Sequence, residues 1–127
     1  MGGSNGLILR YQNGAITKMP TPGNGTIFGM WGASATDMWA VGGASEVGGG
    51  FAWRLQGEAW VDEPSLPAEV PQTGAIWKIH GTSERNAWLV GSNGLAFHWN
   101  GQLLEPADTG VGSSLFTVFG EGELFAA

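Results

Sequence analysis

Apolar and polar residues along this chain alternate in short bursts, not in helical stripes. Three bursts align with one another: Ile27-Phe28-Gly29-Met30-Trp31-Gly32, Ile76-Trp77-Lys78-Ile79-His80-Gly81 and Leu115-Phe116-Thr117-Val118-Phe119-Gly120. Each gives way to a polar turn and then to a second apolar piece: Met38-Trp39-Ala40-Val41-Gly42, Ala87-Trp88-Leu89-Val90-Gly91 and Leu124-Phe125-Ala126-Ala127. Short apolar runs bounded by Gly, Ser, Asn and Pro are the pattern of β-strands. A third set runs from Leu7 to Tyr11, from Phe51 to Leu55 and from Leu95 to Trp99. Its first and last members follow the same Ser-Asn-Gly step, Ser4-Asn5-Gly6 and Ser92-Asn93-Gly94. Asn13-Gly14, Gln56-Gly57 and Asn100-Gly101 come next, and such steps favour tight hairpins with positive φ. Fourth strands are then expected at Ala15–Met19, Ala59–Asp62 and Leu103–Glu105. Loops with Pro20 and Pro22, with Pro64, Pro67 and Pro71, and with Pro106 lead to the next unit. No stretch carries a convincing amphipathic helical pattern.

Four short antiparallel strands recurring at a period of about 40–50 residues describe the blade of a β-propeller. The units divide the chain into the second half of a blade (1–25), two full blades (26–74 and 75–114) and the first half of a blade (115–127). Strict alternation would put Phe28, Trp77 and Phe116 on one face of the innermost strands with Met30, Ile79 and Val118. Trp31, His80 and Phe119 would then point to the other face.

The run Trp31-Gly32-Ala33-Ser34-Ala35-Thr36-Asp37-Met38-Trp39-Ala40-Val41-Gly42 resembles the tryptophan-rich bacterial β-propeller repeats of the pattern W-G-x-S-x-x-D-x-W-A-V-G. The second unit departs from it with His80 for Trp and Asn86 for Asp, and the third lacks two residues of the turn. The resemblance spans nearly the whole chain and implies an all-β propeller fold, with no particular ligand attached.

Three blade equivalents are fewer than the usual four to eight. The half-blades are complementary: Leu124-Phe125-Ala126-Ala127 followed by Gly3-Ser4-Asn5-Gly6-Leu7 reproduces the order of Trp88 through Leu95. This predicts a head-to-tail homo-oligomer in which one chain's last two strands complete another chain's first two. A dimer, with six blades, is favoured over a nine-bladed trimer. Burying on the order of 1,000 Å² of apolar surface per junction would contribute up to ~25 kcal/mol before entropy losses. The alternative is a structural fragment of a longer propeller chain.

Composition narrows the functional classes. Gly is 23 of 127 residues, against a usual share of about 7%, and there are seven Trp. The apolar content of 43% is too high for a disordered chain. No apolar run approaches the length of a membrane span. Five Lys+Arg against 11 Asp+Glu, net −6, argue against nucleic acid and anionic membranes as partners. Cys is absent, so the compartment cannot be read from redox chemistry. Met1 through Gly6 lack the basic segment and apolar run of a signal peptide.

Candidate chemistry is sparse. Asp62 and Glu63 are adjacent at a strand-to-loop junction, and a glycosidase needs two carboxyl groups at set separations. Here they read as a solvated pair, as do Glu121 and Glu123 around Gly122. A sialidase-like site would need an arginine cluster and a tyrosine nucleophile. Arg10 and Arg54 instead share a third-strand position, and Tyr11 aligns with the packing positions Leu55 and Trp99. His98 aligns with Arg10 and Arg54, a recurring basic group that suggests a solvated or blade-bracing position. No metal-ligand spacing and no cofactor motif is present. Gly48-Gly49-Gly50 lacks the Lys and helix of a phosphate loop. These residues point to a non-enzymatic binding or scaffolding module, with a glycoside hydrolase-like propeller enzyme as the alternative. A glycan or peptide would meet aromatic faces. The candidate ligand-binding residues are Trp53 and Trp60, the least constrained tryptophans; Lys78 and His80 on an innermost strand; and Glu46 in the Gly42–Gly50 loop, which breaks the pattern of the other units.

Overall fold

The computed structural model describes residues 1–44 and 49–127 and is built from four antiparallel sheets. Strands β1 (Ile8–Gln12) and β2 (Ala15–Met19) form a two-stranded sheet. A four-stranded sheet follows in sequence order: β3 (Thr26–Ser34), β4 (Asp37–Gly43), β5 (Phe51–Gln56) and β6 (Ala59–Asp62). A second one, again in sequence order, holds β7 (Ile76–Ser83), β8 (Asn86–Gly91), β9 (Ala96–Trp99) and β10 (Leu104–Pro106). Strands β11 (Val118–Glu121) and β12 (Glu123–Ala126) close the chain as another two-stranded sheet. The expected strands are therefore present, although β11 starts three residues later than its apolar run. The one helical feature of note among the described residues is a single turn, α1 (Val70–Thr73), in the proline-rich connection. Val70 is buried there against the next sheet.

Turn chemistry sets the hairpins. Asn13 and Gly14 both take positive φ, 51° and 80°, in a two-residue loop between Gln12 and Ala15. This is the conformation that makes Asn-Gly the favoured pair at such loops. At Gln56-Gly57 and Asn100-Gly101 only the glycine is left-handed. The second of these is held by Asn100 Oδ1, which accepts from the amides of Gln102 and Leu103 at 2.9 and 3.1 Å. The two Ser-Asn-Gly steps fold alike: Asn5 and Gly6 have φ of 57° and 64°, Asn93 and Gly94 of 56° and 74°. Thr21 Oγ1 donates to the Gly6 carbonyl and Thr109 Oγ1 to the Gly94 carbonyl, both at 2.9 Å.

The first strands of the two four-stranded sheets depart from strict alternation. Ile27 pairs with Gly42 and Gly29 with Val41, so Phe28 sits in a bulge. Ile76 and Lys78 pair with Gly91 and Val90, leaving Trp77 in the same situation. Before β11, the amides of Phe116 and Thr117 both donate to the Ala127 carbonyl. An extra residue at such a point re-aims its side chain. Phe28, Trp77 and Phe116 therefore do not simply share the face of Met30, Ile79 and Val118. Ile79 and Val118 are 1% exposed, whereas Phe116 is 62% exposed.

The sheets stack in chain order through three apolar layers. Trp39, Val41 and Ala52 face Ile79, Leu89, Phe97 and Trp99 between the two four-stranded sheets. Ile8 and Met19 of the first sheet meet Ala40, Trp53 and Trp60. Val118 of the last sheet meets Val90 and Ala96. Trp39 is fully buried with its ring edge-on to Trp99, centroids 5.0 Å apart. Close approach needs glycine at Gly81, where a Cβ would stand 2.6 Å from the Trp31 ring lying over it.

Candidate functional site

The candidate residues from the sequence do not converge. Trp53 is 2% exposed and stacks on Phe51 at 3.9 Å. Trp60 is 4% exposed. Both pack into the layer between the first two sheets and present no face to a ligand in this chain. Phe97, also aromatic and buried, stands at the position matching Trp53 and is the signal in the sequence that marks it as core. Lys78 and His80 lie on β7, in the next sheet. His80 Nε2 is 3.0 Å from the Gly120 carbonyl, and its ring lies 4.8 Å from that of Phe119. It spans from one sheet to the next. Glu46 lies outside the described residues.

Of the carboxylates read as solvated, Asp62, Glu121 and Glu123 are exposed and Glu63 is not. Glu63 is 7% exposed, not solvated. Its Oε1 accepts from the Ser65 amide at 3.1 Å and hydroxyl at 2.8 Å, and its Oε2 stands 3.9 Å from Arg54. Arg54 also donates to Asp37 Oδ1 at 2.9 Å. A buried carboxylate persists only where donors and opposite charge replace water, and here Arg54 and Ser65 supply both. The Arg54 guanidinium further lies 4.8 Å from the Trp39 ring and 4.7 Å from the Trp99 ring, within cation–π range. In the next sheet His98 Nε2 meets Asn86 Oδ1 at 2.8 Å, and its ring lies 4.7 Å from Trp88. The third-strand basic group thus braces strand two in both four-stranded sheets. No group of three His, Asp or Glu among the described residues could hold a metal ion.

What the structure does bring together is a row of aromatic rings that sequence spacing alone did not assemble. Trp77 stands 4.6 Å from Phe28 on one side and 5.5 Å from Phe116 on the other, at interplanar angles of 35° and 48°. Phe28 and Trp77 sit in the bulges of β3 and β7, and Phe116 stands at the matching place just before β11. Trp77 Nε1 is buried with no acceptor among the described residues. Phe28 and Trp77 are half-buried, and Phe116 is open.

Comparison with family models, curated proteins and solved structures returned no match.

A second surface lies at the first two sheets. A groove of about 560 Å³ opens between β1 and the following sheet, walled by Arg10, Tyr11, Met30, Met38, Leu55 and Trp60. Arg10 pairs at 2.8 Å with Glu58, which also lines the groove. Their hydrogen bond, and secondarily their charges, hold the Glu58 carboxyl below its ordinary range and Arg10 above its own. Arg10 Nε is buried without an acceptor. Exposed apolar side chains gather on the two outer sheets: Tyr11 and Ile16 on the first, Phe119 and Phe125 on the last.

Proposed function

We propose that this chain is a partial β-propeller of the tryptophan-rich bacterial type, completed to a six-bladed ring by a second copy joined head to tail. We further propose that the ring is a non-enzymatic module that binds a carbohydrate. The observation that carries this reading is the row Phe28–Trp77–Phe116. The bulges of β3 and β7, and the matching place just before β11, bring one aromatic ring each into the same line, as innermost strands around a central axis would. Partly exposed aromatic rings in a row suit a sugar ring, whose C–H face stacks on them. Doubling the chain continues the row, with Phe116 of one copy leading to Phe28 of the next.

Three further features support the ring. The two four-stranded sheets share order, register and bulge positions. The Ser-Asn-Gly step that precedes β9 recurs before β1, with the same positive φ at its Asn and Gly. Each chain holds two complete sheets and two halves, so two chains make six, within the usual four to eight, while three would make nine.

The test is a glycan array followed by titration of the best oligosaccharide against intrinsic tryptophan fluorescence. Binding should shift the emission, and Trp77→Ala should weaken it at least tenfold while leaving the melting temperature of the assembly within a few degrees. Absence of glycan binding, or full binding by Trp77→Ala, would overturn the reading. Binding of a peptide panel instead would replace the ligand class.

A further inference from the structure

In both four-stranded sheets one corner is built the same way, and the third such corner is split between the chain's two outer sheets. In the first, Arg54 on β5 sits opposite Trp39 on β4, stacks on its ring and bonds Asp37, two residues before it. In the second, His98 on β9 sits opposite Trp88 on β8, stacks on it and bonds Asn86, again two residues before. On β12 the matching residues are Phe125 and Glu123: Phe125 pairs with Phe119 as Trp88 pairs with His80 and Trp39 with Trp31. The matching basic residue is Arg10, on β1. Among the described residues neither half meets its counterpart. Phe125 is 70% exposed, Glu123 is exposed, and Arg10 Nε is buried with no acceptor.

From this we infer that Arg10 of one copy closes on Phe125 and Glu123 of a second copy, a clamp that specifies the junction. The inference rests on the head-to-tail assembly proposed above. Carrying the β8–β9 register over places Phe125 opposite Arg10 and Leu124 opposite Tyr11. The groove beside Arg10 is the seat for the ring. Its walls Met30, Met38 and Leu55 match Ile79, Ala87 and Trp99, which surround Trp39 in the intact layer. The groove is thus shaped for an aromatic side chain on the neighbouring second strand, and the chain carries one such side chain exposed, Phe125. Charge agrees: Glu123 supplies the carboxylate that Asp37 supplies to Arg54. Arg10 has five donors, so it can keep Glu58 and take Glu123. Phe119 is likewise placed to cover Gly32 of the second copy, as Trp31 covers Gly81.

One local contact competes. Met1 and Gly2 lie along Ile8 and Leu9, with the Met1 ammonium donating to the Leu9 carbonyl at 2.9 Å and the Leu9 amide to the Met1 carbonyl at 2.8 Å. They occupy the edge that the register assigns to Ala126 and Ala127 of the second copy. The clamp residues fall just beyond them, on uncovered rungs.

Charge reversal tests the clamp. Arg10→Glu places Glu against Glu123 at every junction, and Glu123→Arg places Arg against Arg10. Each variant alone should associate at least tenfold more weakly than wild type. An equimolar mixture of the two should recover assembly, as a one-to-one pair of the two variants by native mass spectrometry. Only an even ring allows that alternation. Phe125→Ala, which keeps all charges, should also weaken association at least tenfold. Thermal melts of the variants check that each chain folds. Wild type that assembles while the charge variants assemble equally well, or a mixture that stays apart, overturns the clamp alone. Wild type that remains a single chain overturns the assembly on which the clamp rests.

Discussion

Trp39 and Phe125 occupy matching places on two sheets and end in opposite surroundings. Trp39 is fully buried, edge-on to Trp99 and under the Arg54 guanidinium. Phe125 is 70% exposed at the edge of a two-stranded sheet. The difference is not in residue type, since both are aromatic and both follow an acidic residue by two. It lies in connectivity. The loop from β4 delivers Arg54 and Ala52 to Trp39, whereas nothing in the described residues delivers a third strand to β12. Burial at such a corner depends on the neighbouring strand at least as much as on the side chain itself. A strand edge with exposed aromatic residues calls for a covering strand, and on this account Arg10 and β1 of a second copy supply it.

The largest effect should come from breaking the finished corner. Trp39→Ala opens a cavity in a closed layer and removes the face under Arg54, at a cost of about 4 kcal/mol. Urea denaturation should show it as a large drop in midpoint. Phe125→Ala, the same change at the open corner, should leave the unfolding midpoint of the isolated chain unchanged and act only on association. A loss of chain stability comparable to that of Trp39→Ala would remove the contrast.

The charged members sharpen the same comparison. Arg54→Met keeps the stem but strands Asp37 and the buried Glu63 without their cation, and should cost about 2 kcal/mol. Arg10→Met should shift the midpoint of the isolated chain little, because the Arg10 contact to Glu58 is at the surface. The smallest effect belongs to Glu58→Gln. Its carboxyl is held below the ordinary range by Arg10, so that contact is complete above the ordinary carboxylate range and is lost as pH falls through the lowered value. At neutral pH the substitution should leave both the unfolding midpoint and association unchanged. A marked loss of association would give Glu58, not Glu123, the leading part in holding Arg10.

Much of this was legible in the sequence. The glycine- and aromatic-bounded runs marked the strands because each run is short, apolar and closed by a residue of special backbone freedom. The bulges were not legible: whether Phe28 and Trp77 pair or stand out depends on register with β4 and β8, and period-two reading assumes that every residue pairs. The burial of Glu63 escaped for a related reason, since its cation Arg54 meets it only when β5 and β6 align. Trp53 and Trp60 looked least constrained because their matching residues vary, yet the layer accepts Phe97 and Leu104 at the corresponding places of the next sheet. Variation among apolar residues there reflects volume exchange within a core.

Sedimentation velocity of the wild-type chain over a hundredfold range of micromolar concentrations tests the head-to-tail closure most directly. The account predicts a single species of twice the 13.3 kDa chain mass, compact and resistant to dilution. A species that stays at 13.3 kDa throughout, with Phe125 and Tyr11 open to solvent, would contradict it.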